Sequence, residues 1–164
     1  MESVRIRAST PNDVPAVHQL IQDTIDACYV GVYPPRAVAF FKEHNCAKNI
    51  QKRQLEGHIL VAERDSQIVA TGTLIDDIIV GVYVYPKVQR TGCGQLIMKE
   101  LEAIAYSRGL QSVGLDVSLT SRDFYMKLGY RITEECTIDV GCGEKLHYWK
   151  ARKAFPKDRQ ESTL

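Results

Sequence analysis

VYVYPKVQRTGCG, residues 82–94, indicates more about this chain's architecture than any other segment. The apolar run before Pro86 is typical of a β-strand, and the pattern after the glycines predicts a helix that begins directly from a basic loop. The start of a helix leaves backbone N–H groups unpaired and carries the positive end of the helix dipole. Gly92 and Gly94 have no side chains that would keep an anion away. The segment is therefore predicted to bind a phosphate group.

The length and charge of the chain limit the kinds of protein it can be. Its 164 residues suit one domain, predicted at 1–155 with a polar, mobile tail at 156–164. The 21 basic and 20 acidic residues give a formal net charge of +1, so no overall field attracts nucleic acid or an anionic membrane. The longest apolar run, 78–85, is too short to span a bilayer, and residues 1–5 do not begin a signal sequence. We therefore expect a cytoplasmic protein.

The cysteines and histidines show no organised spacing. The five cysteines are odd in number and include no Cys-x-x-Cys pair, so neither a disulfide framework nor a structural zinc site is predicted. The four histidines are equally dispersed. We expect mostly buried thiols in a reducing compartment and no metal cofactor.

Periodicity and turn residues place the remaining elements. Strands are expected at 4–8, 59–63, 68–74, 78–85, 112–117, 130–140 and 145–152. Helices are expected at 10–28, 36–55 with a break near Asn45, 92–109 and 120–129. The unit 78–117 runs strand, helix, strand, which within one sheet implies a parallel pair of strands.

Three local signals refine these boundaries. Thr10 with Asp13, and Thr120 with Asp123, have the spacing of capping boxes that open helices. The segment 141–143, Gly-Cys-Gly, is expected to turn the last two strands into a closing hairpin.

The glycine loop resembles one known family. Ile97 stands where a dinucleotide fingerprint needs its third glycine, and the chain has no Gly-Lys-Ser/Thr of a P-loop. What remains is Gln89-Arg90-x-Gly92-x-Gly94 after a strand, which resembles the pyrophosphate-binding segment of the GNAT superfamily of N-acetyltransferases.

A second motif supports this resemblance. Residues 124–130, FYMKLGY, are similar to the family's late helix, and the order of elements from 4 to 152 fits as well. The resemblance implies an α/β fold with a mixed, mostly antiparallel sheet, a parallel β-α-β splay and flanking helices. It also implies that acetyl-CoA, the acyl donor, lies in the gap where the strands 78–85 and 112–117 separate.

Carried over to this chain, the resemblance assigns the cofactor site. Backbone N–H groups of the loop would hold the pyrophosphate, with the side chains of Arg90 and Thr91 at its edge. The pantetheine arm would pair with the strand, and the Val82 N–H would bind the acetyl carbonyl, where charge grows in the transition state. The cofactor-binding residues are Val82, Tyr83, Val84, Gln89, Arg90, Thr91, Gly92, Cys93, Gly94, Gln95 and Ser118.

The resemblance also assigns the catalytic groups. Tyr125 matches the family's general acid, which would protonate the departing CoA thiolate; a core tyrosine with one wet end is the alternative. The glutamate base of some members is replaced by Ile78. An alkylammonium must lose a proton to attack, so we expect a water relay to end on Asp116, favoured, or on Asp77 or Glu63. Each of these carboxylates could equally be a solvated surface charge.

The acceptor is a small-molecule or peptide amine that the sequence does not identify. In the family the connection after the first helix lines the acceptor pocket, which assigns Tyr29 and Tyr33 to substrate binding; packing between helices is the alternative. We expect direct transfer in a ternary complex, and the closing hairpin offers an edge for a homodimer. A CoA-binding regulatory module without turnover stays open, whereas nucleic-acid binding through 150–159 is disfavoured because that segment lacks interleaved aromatic residues.

Overall fold

Seven strands form one sheet in the computed structural model, in the order β1-β2-β3-β4-β5-β7-β6. The structure describes residues 3–157, so the part of the predicted tail from 158 onward lies outside the described residues. The strands are β1 (Arg5–Ala8), β2 (His58–Arg64), β3 (Gln67–Ile75), β4 (Ile78–Val84), β5 (Ser112–Val117), β6 (Arg131–Gly141) and β7 (Glu144–Ala154). The helices are α1 (Val14–Cys28), α2 (Pro35–His44), α3 (Ala47–Glu56), α4 (Cys93–Ser107) and α5 (Arg122–Lys127), with 3₁₀ turns at Pro11–Asp13 and Pro86–Val88.

The parallel pair β4–β5 is short. All other neighbouring strands run antiparallel, whereas β4 and β5 pair in parallel only at Ile78 with Gly114 and Ile79 with Leu115. Both strands continue beyond these pairs, to Val84 and Val117. A gap therefore opens between the carboxyl-terminal halves of β4 and β5, as the sequence analysis expected.

The helices cover the two faces of the sheet with separate cores. Alternate residues of β2 enter opposite cores, Leu60 and Ala62 on one side and Ile59 and Val61 on the other, as the period of a strand requires. On the first side α4 buries Ile97, Met98, Leu101 and Ala105. On the second side α1 and α3 bury Val17, Ile21, Ile25 and Ile50. Helices packed on both faces of the sheet thus fix the positions of β4, β5 and the gap between them.

Local capping differs between the two predicted boxes. At the first, the Asp13 carboxylate accepts the Thr10 N–H at 2.7 Å, although the turn that follows is 3₁₀ and α1 begins only at Val14. The second prediction is wrong. The N-cap of α5 is Ser121, and the hydroxyl of Thr120 is hydrogen-bonded to that of Ser118, 3.0 Å away.

Other boundaries follow the sequence closely. The expected break near Asn45 separates α2 from α3. The closing hairpin turns at Cys142 and Gly143, which both have positive φ (55° and 74°), as a two-residue turn of type I′ requires. Strand β6 has the predicted length of 11 residues, shifted by one position towards the turn, whereas β7, also 11 residues, is longer than predicted because it pairs with β6 up to the turn and with β5 as far as Ala154.

Candidate active site

A bulge interrupts β4 where its pairing with β5 has ended. Thr71 pairs with Tyr83 and Thr73 pairs with Val80, so Gly81 and Val82 together oppose the single residue between the two threonines. Gly81 has a φ of 63°, which glycine adopts without steric cost. A bulge takes one residue out of the hydrogen-bonded ladder and changes the direction of its backbone groups. The backbone at Val82 therefore differs from that of a regular strand at the edge of the gap.

The loop from β4 to α4 depends on Gly92 for its backbone. Gly92 caps the helix in the left-handed conformation, with a φ of 92°. A Cβ atom there would meet nothing within 4 Å, so the glycine is required by its φ and the space beside it is open. At Gly94, by contrast, a Cβ would lie 3.0 Å from the Phe124 ring and 3.3 Å from Val84. A glycine at position 94 therefore allows close packing against Phe124 and Val84. The sequence had suggested a different reason, the close approach of an anion.

Two side chains of the loop make hydrogen bonds within the protein. The Thr91 hydroxyl donates to the Val88 carbonyl and lies 3.3 Å from the buried Cys93 thiol. The Gln89 amide donates to the Val84 carbonyl at 3.0 Å. The resemblance placed Thr91 at the edge of a pyrophosphate. In this structure its hydroxyl donates its hydrogen bond to the Val88 carbonyl, within the same connection. The amide of Gln89 is hydrogen-bonded to the Val84 carbonyl, with which a pantetheine arm paired along β4 would also interact.

A cavity of about 230 Å³ lies beside the bulge, at the end of the β4–β5 gap. It brings together several predicted site residues and leaves out the loop 89–95. The predicted residues in its lining are Tyr29, Val82, Tyr83, Asp116, Ser118 and Tyr125. The other lining residues are Phe40, Phe41, His44, Asn45, Ile79, Val80, Gly81, Val117, Ser121, Ile138, Leu146 and Tyr148.

Tyr125 stands on the short helix α5, against the cavity. Its ring is almost fully buried and packs edge-on against Phe124 and Tyr130, with ring centroids 5.1 and 5.8 Å away. Burial raises the pKa of its phenol above the ordinary value, and the nearby Tyr29 adds to the shift. The hydroxyl therefore keeps its proton at neutral pH, as a proton donor must.

Asp116 lies near the end of β5 on the cavity wall. The residue is exposed by its accessible surface, but the surrounding protein keeps water from part of the carboxyl and so raises its pKa, while Lys150 and His44 oppose that shift. A raised pKa makes a carboxylate a better proton acceptor than one in water. Of the three carboxylates that the sequence analysis considered, Asp116 is the one that lines the cavity.

The other two carboxylates make ion pairs elsewhere. Asp77 accepts a hydrogen bond from Arg152 at 2.8 Å, and Glu63 pairs with Arg7 at 2.6 Å. Neither residue lines the cavity. Of the three carboxylates, Asp116 is therefore the one that the structure places at the cavity, and its role as the relay end stays a prediction.

His44 belongs to the cavity but was missed from the sequence. It is the last residue of α2, and its ring is stacked on Phe40 with centroids 6.0 Å apart and an interplanar angle of 5°. Burial and the nearby Arg53 lower the pKa of its imidazole, while Asp116 opposes this shift. Only the tertiary packing of α2 against β6 and β7 brings His44 into the same cavity as Asp116, so the spacing of residues along the chain carries no signal for it.

Tyr29 and Tyr33, predicted together, have different places. Tyr29 lines the cavity, and its hydroxyl lies 3.5 Å from that of Ser118. Tyr33 is absent from the lining. Its hydroxyl accepts the Leu119 N–H at 2.7 Å and donates to the His147 carbonyl at 3.3 Å. Tyr33 thus holds the connection between β5 and α5, and its assignment to substrate binding stays a prediction.

The described part of the chain has neither a membrane-spanning helix nor a cluster of metal ligands. No helix within residues 3–157 has the length and apolar character needed to cross a membrane. In the same range, no three side chains of His, Cys, Asp or Glu come together as metal ligands. The five cysteines are free thiols.

Comparison with known proteins identifies the family. The sequence model of the acetyltransferase (GNAT) domain matches residues 25–143. The chain therefore belongs to the GNAT acetyltransferase family, and the resemblance and fold class inferred from the sequence are confirmed. A search of curated proteins found no match.

Solved structures agree on the fold. A GCN5-related N-acetyltransferase from Rhodopseudomonas palustris is 22% identical with a TM-score of 0.85, covering 94% of this chain and 98% of its own. The PaiA N-acetyltransferase from Thermoplasma acidophilum, in complex with coenzyme A, is 18% identical with a TM-score of 0.76. The match covers 93% of this chain and 99% of the other. The ribosomal-protein-S18-alanine N-acetyltransferase from Escherichia coli is 14% identical with a TM-score of 0.71. The match covers 96% of this chain and 98% of the other. At these identities the likeness concerns the fold alone.

Proposed function

We propose that this protein transfers the acetyl group of acetyl-CoA directly to an amine in a ternary complex. The observation that carries the proposal is the bulge at Gly81 and Val82, which lies in the wall of the same cavity as Tyr125 and Asp116. Membership of the GNAT family supports acyl transfer, and the T. acidophilum neighbour with coenzyme A supports this class of donor.

The residues around the gap fit acetyl-CoA. The open space at Gly92 and the start of α4 suit a pyrophosphate, which the backbone of residues 90–95 would hold. The pantetheine arm would run along β4 at Val84 after displacing the Gln89 amide, and Ser118, the residue after β5, would contact it. The bound thioester supplies the activated acetyl group. The protein's task is to orient it and to move protons.

The chemistry follows from the groups in the cavity. The amine nitrogen attacks the thioester carbonyl, and the Val82 N–H stabilises the negative charge that develops on its oxygen. The carbon–sulfur bond then breaks, and Tyr125 gives its proton to the leaving sulfur. An acceptor that enters as an ammonium first gives one proton to Asp116, directly or through water, and its nitrogen gives up a second proton to water after the attack. Proton return from Asp116 to Tyr125 through solvent restores the starting state.

Two measurements test the function. Titration calorimetry with acetyl-CoA and with CoA should show binding of both, because the loop recognises their shared pyrophosphate. Thiol release in the presence of amines should then reveal acetylation. Absence of any binding would reject the proposal, and binding without turnover of a broad amine set would favour the CoA-binding module instead.

A further inference from the structure

A buried arginine lies directly behind the bulge of β4. Arg53 belongs to α3 and is only 8% exposed. Its guanidinium reaches the strand, because a Cβ atom added to Gly81 would lie 2.9 Å from the Arg53 Nη1 atom. Beyond its neighbours in the chain, that Cβ would meet nothing else within 4 Å. A side chain at position 81 is therefore disfavoured by Arg53 as well as by the positive φ of the backbone.

Arg53 has no acidic partner among the described residues. Its guanidinium donates to the Asn45 side-chain oxygen at 2.8 Å and to the His44 carbonyl at 3.0 Å. None of the ion pairs within residues 3–157 includes it. A buried charge without an opposite charge is unfavourable, and burial lowers the pKa of this guanidinium. A neutral side chain could fill the same space without that cost, which indicates a function for the charge.

Asn45 connects Arg53 to the cavity wall. The Asn45 side chain is buried, and its amide group donates to the Tyr83 hydroxyl at 3.2 Å and to the Phe41 carbonyl at 2.9 Å. A guanidinium can only donate and a carbonyl can only accept, so these partners fix the orientation of the amide. Tyr83 follows the bulge directly, where it pairs with Thr71. Hydrogen bonds thus join Arg53 to β4 just after the bulge, while its guanidinium contacts the bulge itself.

The positive charge of Arg53 acts on groups in the cavity. The pKa of the His44 imidazole is lowered by burial and further by Arg53. The pKa of the Tyr83 phenol is raised well above its ordinary value by burial, and Arg53 opposes that shift. Both effects are those of a positive potential at the cavity wall. Negative charge that develops beside the bulge would be stabilised by the same potential.

From these contacts we propose that Arg53 is a positioning residue for acyl transfer. Its guanidinium holds Gly81 in the shape that presents the Val82 N–H to the thioester carbonyl, and its charge stabilises the negative oxygen of the transition state from behind this peptide. The inference rests on the proposed function, in which the Val82 N–H binds that carbonyl. Arg53 itself touches neither acetyl-CoA nor the amine, and acts through the bulge.

Carbon-13 NMR of acetyl-CoA labelled at the acetyl carbonyl tests the proposal without any amine. Binding to the wild-type protein should move the carbonyl resonance downfield, because a hydrogen bond and a positive potential polarise the C=O bond. Arg53→Met keeps an unbranched side chain without the charge. This variant should lose about half of the shift and bind acetyl-CoA in calorimetry with wild-type affinity. A full shift in Arg53→Met, or loss of acetyl-CoA binding altogether, overturns the proposal.

Arg7→Met is the matched control. Arg7 also joins separate elements, through ion pairs with Asp13 at 2.7 Å and Glu63 at 2.6 Å, but it lies outside the cavity lining. The control variant should lose stability in thermal unfolding and keep the wild-type carbonyl shift. An equal reduction of the shift in Arg7→Met and Arg53→Met would assign the effect to general destabilisation and would also overturn the proposal.

Turnover gives a second test, with an amine that the thiol-release screen shows to be acetylated. Arg53→Met should lower kcat about 30-fold and leave KM for acetyl-CoA within about twofold of the wild type. Arg53→Lys keeps a positive charge but not the planar group, so it should recover part of the lost kcat. A loss confined to KM, or an Arg53→Lys variant no faster than Arg53→Met, contradicts the proposed role.

The wild-type protein separates this inference from the function on which it rests. If the wild type binds no acetyl-CoA, acetyl transfer itself is rejected, and the role of Arg53 with it. If it binds acetyl-CoA with a carbonyl shift that does not depend on Arg53, the role of Arg53 alone is overturned and the proposed function stands.

Discussion

The loop 89–95 and the cavity beside β4 are built in opposite ways. The loop is one continuous segment whose shape depends on local backbone requirements, above all the positive φ of Gly92. The cavity takes its walls from six helices and strands and from the end of a seventh. Under the proposed function, cofactor recognition is therefore concentrated in a few adjacent residues, whereas acceptor recognition is spread over the fold. Mutations in the two regions should separate binding of the donor from chemistry on the acceptor.

The largest effect is expected at Tyr125, which lines the cavity. Tyr125→Phe removes the proposed proton donor and should lower kcat about 100-fold, while calorimetry should show unchanged affinity for acetyl-CoA. Tyr130→Phe is the matched control. It loses the 3.0 Å hydrogen bond to Glu102, outside the cavity, and should cost about 1 kcal/mol of unfolding free energy without changing kcat. Parallel losses of kcat and acetyl-CoA affinity in Tyr125→Phe would reduce Tyr125 to a packing role.

The next effect concerns donor binding alone. Gly92→Ala forces a side chain into the left-handed conformation, so the loop should rearrange and the affinity for CoA should fall about tenfold. Gly109→Ala is its control, because Gly109 has a similar φ of 84° and equally open space, but lies beyond the other end of α4. Both variants should lose about 1 kcal/mol of stability. Equal CoA affinity in the two variants would show that the loop is not the pyrophosphate site.

The smallest effect is expected at Asp116, as a change in the pH dependence of kcat/KM. Asp116 must be deprotonated to accept a proton, so kcat/KM should rise as pH increases through its raised pKa. Asp116→Asn should remove this acidic limb and lower kcat/KM about tenfold, with the limb at higher pH from the amine's own ionisation retained. His44→Gln should keep the acidic limb. A limb that vanishes in His44→Gln and persists in Asp116→Asn would transfer the proton-accepting role to His44.

The amino-acid sequence was informative wherever a structural feature depends on residues that are close to one another in the chain. Gly92, the break near Asn45 and the turn at Cys142 and Gly143 could all be inferred, since positive φ values and helix ends leave a local signature. The capping box at Thr120 was wrong because a hydrogen bond between the hydroxyls of Thr120 and Ser118 competed with it. The Thr-x-x-Asp spacing gives no sign of such competition.

The amino-acid sequence by itself determined the family, the strand–loop–helix unit and the candidate acid Tyr125. The tertiary structure alone decided the bulge at Gly81, the place of His44 in the same cavity as Asp116 and the hydrogen bonds of Tyr33 outside that lining. The physical reason is distance along the chain: a helix start or a turn is specified by a few adjacent residues, whereas a cavity exists only after helices and strands far apart in sequence pack against one sheet. The set of residues that line the cavity follows from that packing.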